Sequence, residues 1–190
     1  MHLTEDVQGV GDHAANMIRR EFETMPLARD ERDGGLMLGE TGTRNVTISS
    51  GVLWDRLNRY SLAAIDTSIS GGFDTYFDSN LSALNVTQWP NTSYNNGGVL
   101  TTMTNNRFAN LWFFEETDGG IVMVYGTAQY NGSAAAQAEG PPSIIPNRLV
   151  SDGKLIGRIV FQKGAATATS IDSAFNATFA ATQATNHANL

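Results

Sequence analysis

Apolar and polar positions alternate in different rhythms along this chain. Ala14, Ile18, Phe22 and Met25 fall at helical spacing, with Arg19, Arg20, Glu21 and Glu23 around them. Residues three and four apart share a helix face, so this spacing predicts a short amphipathic helix from roughly Asp12 to Thr24. Asp12 offers an N-cap acceptor for a free backbone N–H. Pro26 stops the helix, because its ring removes a donor and crowds the preceding turn. One helix of this length is marginal alone. Its apolar stripe needs cover, from the domain core or from the same helix on another subunit.

Beyond residue 33 the rhythm changes to a period of two. Asn45-Val46-Thr47-Ile48-Ser49 alternates polar with apolar, as a half-buried strand does. Ser50-Gly51 reads as a tight turn into Val52-Leu53-Trp54. The clearest element is a hairpin: Leu111 to Glu115 runs out, Asp118-Gly119-Gly120 turns, and Ile121 to Tyr125 returns. Asp-Gly between β-branched and aromatic runs is a strong hairpin signal, since such turns need positive φ. Leu155 to Phe161 predicts a further strand, and Phe73–Phe77 and Gly98–Met103 weaker ones. Many short strands separated by turn signals predict a mainly β fold, an antiparallel β-sandwich or jelly-roll-like domain behind the N-terminal helix.

Composition sharpens three zones. Residues 1–33 carry 12 of the 31 charged residues and read as a helical junction or connector. Residues 34–163 are the β body. Residues 164–190 hold nine Ala and five Thr, with Asp172 the only charge, and read as a C-terminal connector. Within them Ser170–Phe175 is expected to turn into a helix, with Phe175 and Phe179 one turn apart.

Charge and residue usage exclude several functions. Charged residues are 16% of the chain, against about a quarter in typical globular proteins. Net charge is −7, the two lysines are Lys154 and Lys163, and the ten arginines are scattered. A nucleic-acid binder needs a clustered basic footprint, and an anionic membrane surface asks for the same. The chain has no cysteine, which removes disulfides, thiolate metal sites and cysteine nucleophiles. The first residues lack the pattern of a signal peptide, and no stretch approaches the ~18 apolar residues of a membrane span. The expectation is a soluble chain made in the cytoplasm, with no nucleic-acid partner and no membrane insertion.

Catalytic signatures are sparse. There is no phosphate loop, and Gly132-Ser133 lacks the spacing of a hydrolase elbow. His2, His13 and His187 all lie in the flanking zones and read as surface or junction residues. Paired carboxylates cleave glycosidic bonds, so Asp66, Asp74, Asp78, Glu115, Glu116 and Asp118 are the acids to weigh. Glu115-Glu116-Thr117-Asp118 sits at the hairpin tip and reads as a solvated, edge-protecting turn. No catalytic residue, metal or cofactor is assigned. Sugar binding without cleavage fits the loop from Gln88 to Asn96 better. Aromatic faces stack on sugar rings while amides meet hydroxyls, which makes Trp89, Tyr94, Asn95 and Asn96 the candidate glycan or receptor contact. The competing reading of Trp89 is a core plug beneath the loop. Trp112, Phe113 and Phe114 read as packing on both faces of one strand, which points to another subunit or layer over one of them.

Several segments resemble the modular fibres of tailed phages and related environmental viruses. Gly42 to Gly51 looks like the start of such a module, and Asp55–Tyr60 with Ile65–Ser68 like its continuation. Leu111–Gly126 is similar to its central hairpin, and Leu149–Phe175 to its closing strand. His2-Leu3-Thr4 and Asn186–Leu190 look like inter-module junctions. The resemblance implies a homotrimeric, non-enzymatic module of a tail fibre, head fibre or spike, located on the virion. Its partners would be its own copies, other appendage proteins and a host-surface polysaccharide or receptor. A stand-alone carbohydrate-binding module and a small polysaccharide-cleaving spike domain are the alternatives.

Overall fold

The chain is described by a computed structural model that covers residues 5–179. It opens with helix α1 (Glu5–Thr24), which starts earlier than the apolar spacing predicts. Asp12 therefore lies inside the helix and does not cap it. The end falls where Pro26 requires, and the Thr24 hydroxyl donates to the Arg20 carbonyl at 2.8 Å.

Fourteen strands follow among the described residues. β1 (Ala28–Arg29), β4 (Gly51–Asp55) and β5 (Asn58–Leu62) form one three-stranded sheet. β2 (Leu38–Thr41), β3 (Asn45–Ile48) and β6 (Ile65–Asp66) form a second. β9 (Ser93–Asn95) and β10 (Leu100–Thr102) pair as a ribbon. The largest sheet has six strands in the order β14-β13-β11-β12-β7-β8. Its members are β7 (Phe73–Phe77), β8 (Asn80–Val86), β11 (Phe108–Glu116), β12 (Ile121–Tyr125), β13 (Gly153–Gln162) and β14 (Ser170–Ser173). Two short helices, α2 (Ser133–Gln137) and α3 (Asn147–Asp152), lie between β12 and β13. The chain is thus mainly β and mostly antiparallel behind an N-terminal helix. One pair departs from that rule: β12 runs parallel to β7, with Met123 opposite Thr75.

The expected hairpin pairs β11 with β12 in the register Leu111↔Tyr125 to Glu115↔Ile121. Val46 and Ile48 point inward along β3, as their alternation requires. Ser50-Gly51 is a corner between two sheets: β3 pairs with β2 and β6, whereas β4 pairs with β1 and β5. Approach to this corner uses three successive left-handed residues, Gly34, Gly35 and Leu36. A Cβ on Gly35 would stand 1.9 Å from the Ser50 carbonyl oxygen, so only glycine fits.

Ser170–Ser173 is strand β14 and not the expected helix. It closes the edge of β13, placing Ile171 beside Ile159 and Asp172 beside Arg158. The Arg158 Nε donates to Asp172 at 2.8 Å, a bond that a helix would forgo. Ordered structure thus reaches past the expected body of residues 34–163 at both ends. β1 joins β4, Lys154 donates to the Leu27 carbonyl, and β14 joins β13. The terminal stretch 182–190 lies outside the described residues.

Both faces of the central strands β11, β12 and β13 are buried, whereas the edge strand β8 is exposed. Leu111, Phe113, Met123 and Phe161 meet Leu38, Ile48 and Leu53 of the smaller sheets in the main core. The opposite face carries Trp112, Phe114, Val122 and Val124. Leu149 of α3, Ile145 and Phe179 cover it. The aromatics on both faces of β11 are therefore satisfied by layers of this same chain.

Candidate functional site

The loop singled out for glycan contact is folded inward. Trp89 is fully buried, and its indole N–H donates to Glu40 Oε1 at 2.8 Å. Its ring lies 5.5 Å from that of Phe161, and the Arg44 guanidinium donates to its carbonyl at 2.8 Å. Glu40 also accepts the Ala168 N–H, tying the loop to the C-terminal segment. Tyr94 and Asn95 are buried too. The Asn95 amide donates to Asp78 and accepts from the Gly98 N–H. Of the four residues, Asn96 alone is exposed. An indole already packed on both a ring and a guanidinium has no face to offer a sugar. Trp89 is a core plug, and the glycan platform built on Trp89 and Tyr94 is corrected accordingly.

The hairpin-tip acids also differ from expectation. Glu115 and Glu116 are buried, not solvated. They belong to the last residues of β11 while the turn itself begins at Thr117. Glu116 accepts two bonds from Arg148 of α3, the Nε one at 2.7 Å, and Arg148 Nη1 reaches Asp74 at 2.8 Å. Hydrogen bonding to Glu116 pushes the Arg148 guanidinium still further up its range. Glu115 sits on the other face, beside Ile121, and neither carboxylate oxygen has a hydrogen-bond partner. Burial pushes its carboxyl up to about 7. Asp66 and Asp118 cap their own turns, at Ser68 and Gly120. Glu116, Asp74, Asp66 and Asp118 are structural anchors on separate elements, and Glu115 is buried without a hydrogen-bond partner.

Two ionic clusters escaped the sequence reading. Arg148 pairs with partners 32 and 74 residues away, and nothing local marks it. Glu139 accepts from the Thr127 backbone and hydroxyl and from the Asn110 amide, while Arg158 donates to its carbonyl. Burial raises the Glu139 carboxyl, and the same hydrogen bonds oppose the rise. His13 is exposed on α1, and His2 and His187 lie outside the described residues. No group of three or more His, Asp or Glu among the described residues could hold a metal ion. No helix among them is long and apolar enough to cross a membrane.

What the surface does offer is apolar. Every residue of α1 from Gly11 to Thr24 is exposed except Phe22, which is half-buried beneath the Arg56 guanidinium at 5.9 Å. Ile18, on the stripe that was expected to need cover, is 68% exposed, and Met17 beside it is 55% exposed. Beside the segment that follows the helix lies an open groove of about 890 Å³. Phe114, Leu155, Phe175 and Phe179 line it from the body, Leu27 from the chain leaving α1, and Val150 from α3. Its charged lining is Arg56, Lys154 and Asp55. The helix stripe and this groove are the candidate interaction site.

Comparison with known proteins finds no matching family model, curated protein or solved structure.

Proposed function

We propose that this chain is a non-enzymatic structural module of a virus appendage, of the fibre or spike kind, that assembles as a homotrimer. The single observation that carries the reading is the bare stripe of α1. Most helical stability in proteins comes from packing an amphipathic face, and α1 packs little of its own against the body. Burying one Met or Ile contributes roughly 1.5–3 kcal/mol, so leaving Met17 and Ile18 in water forgoes several kcal/mol. Sister copies supply the cover that the body does not.

The rest of the architecture suits a scaffold. Its layers fold as a β-sandwich, with the six-stranded sheet faced by the smaller ones and backed by α2 and α3. Its buried acids are committed to internal bonds or to the core. A hydrolytic pair needs two carboxyls about 5–10 Å apart in a cleft, and the groove is lined by one, Asp55. The phage-fibre resemblance supplies the context of a particle surface, appendage partners and a host receptor.

Replacing Met17 and Ile18 together by Glu tests the reading. Sedimentation is expected to show three-chain particles for the native chain and single chains for the variant, with unchanged β-sheet circular dichroism. Equal sedimentation of the two proteins as single chains would remove the reason to invoke assembly.

A further inference from the structure

We propose that Asn96 is a site of spontaneous chemical modification, where the backbone nitrogen of Gly97 closes on the Asn96 side chain and converts its amide to an acid. The reaction needs one chain only, and so stands apart from the trimer reading. The sequence holds two Asn-Gly pairs, Asn96-Gly97 and Asn131-Gly132. Glycine lacks a Cβ, so its nitrogen is the least shielded in the backbone and its dihedrals turn freely.

The surroundings separate the two pairs. Asn96 and Gly97 stand exposed at the tip between β9 and β10. Asn96 and Val99 exchange both backbone hydrogen bonds, at 2.8 and 3.3 Å, and the Gly98 N–H donates to Asn95 Oδ1 at 2.9 Å. Among the described residues, no acceptor meets the Gly97 N–H and no partner holds the Asn96 carboxamide. A Cβ on Gly97 would meet nothing within 4 Å, so solvent base reaches the nitrogen. Gly97 and Gly98 both hold left-handed φ, a turn made of the two residues that rearrange most easily. Asn131 is held differently. Its Oδ1 accepts from the Arg107 guanidinium, and that bond must break before the side chain can swing toward Gly132.

Nucleophile and carbonyl sit on adjacent residues, so the attack is intramolecular and its effective concentration is high. The Gly97 nitrogen gives its proton to solvent base and bonds to the Asn96 side-chain carbonyl carbon. The bond from that carbon to the amide nitrogen breaks, and ammonia leaves. Water then opens the five-membered imide at either carbonyl, giving aspartate or isoaspartate, and nothing is oxidised or reduced. Either product brings a negative charge to a tip where the Asp78 carboxylate already holds the Asn95 amide. Isoaspartate also adds one methylene to the backbone, next to the ladder in which Asn95 faces Leu100.

Ageing the folded chain in buffer at pH 8, followed by tandem mass spectrometry, tests the assignment. Acid is expected at Asn96 as both isoaspartate and aspartate, several-fold ahead of Asn131. In urea, where Arg107 no longer holds Asn131, that lead is expected to close. Asn96→Gln is expected to remove most of the acidic species that ion exchange resolves, because a six-membered ring closes far more slowly. Conversion of Asn131 as fast as Asn96 in the folded chain would overturn the assignment. Aspartate alone would do the same, since it marks direct attack by water in place of ring closure. Conversion at Asn96 in urea but not in the folded chain would show that the turn keeps the amide away from Gly97, and would equally overturn it.

Discussion

Glu115 is buried with neither carboxylate oxygen hydrogen-bonded, a setting that favours its protonated form. A carboxyl raised in the folded state to about 7, from an unfolded value near 4.5, holds its proton better folded than unfolded. The folded state then binds more protons across that interval, so stability falls as pH rises from about 4.5 to about 7. The full shift corresponds to about 3 kcal/mol. Glu139 is raised in the same direction and adds to the fall. Glu115→Gln keeps the shape and cannot ionise. Its urea midpoint is expected to exceed that of the native chain at pH 8 and to change less between pH 5 and pH 8. Equal pH dependence in both proteins would mean that Glu115 is solvated or paired.

Trp89 is the second residue whose role is inverted by its surroundings. Its loop reads as an exposed aromatic platform because amides and turn residues flank it. What buries it lies far off in sequence, on Glu40 and Phe161. Trp89→Ala is expected to cost about 3–5 kcal/mol of stability, as large core truncations do, visible as a lowered melting temperature. A variant with native stability would return Trp89 to the surface. Gly35→Ala tests the corner before β2. A left-handed φ alone costs a side chain roughly 1–2 kcal/mol, and the contact with Ser50 adds to it, so poor folding is expected in a denaturation curve.

Among the elements, those written in local pattern are the ones legible without the structure. β3 alternates, β11 and β12 flank an Asp-Gly turn, and β13 carries Leu155-Ile156 and Ile159-Val160-Phe161 around Gly157-Arg158. Each depends on neighbours a few residues away. β14 was misread as helix because Ala-rich flanks and the Phe175–Phe179 spacing resemble a helical turn. The deciding partner, Arg158, belongs to another strand. The parallel pairing of β12 with β7 joins residues about fifty apart in sequence and has no local signal. The same holds for α3, whose Arg148 holds Glu116 and Asp74 together. Removing it by Arg148→Met leaves Glu116 buried and unpaired. The expected loss is on the order of 2 kcal/mol, below the 3–5 kcal/mol of fully buried pairs because Arg148 is partly exposed. Chemical denaturation measures it, and a loss under about half a kcal/mol would class the pair with exposed surface bridges.

For the whole molecule, the structure redistributes the reasons for assembly. Aromatics on both faces of β11 suggested a neighbouring subunit, yet α3 and Phe179 cover the second face from within the chain. The need of α1 for cover was legible from its apolar spacing, and the structure leaves that need unmet. The groove was not legible at all, because the chain after α1, the β4–β5 turn, α3 and the segment after β14 meet there only in three dimensions. The exposed helix, beside β layers that cover one another, is the feature on which the proposed assembly rests.

Multi-angle light scattering of the unmodified chain over a hundredfold range of concentration tests this most directly. Three times the 20.4 kDa chain mass is predicted, with dissociation only on dilution. A constant single-chain mass throughout that range would contradict it.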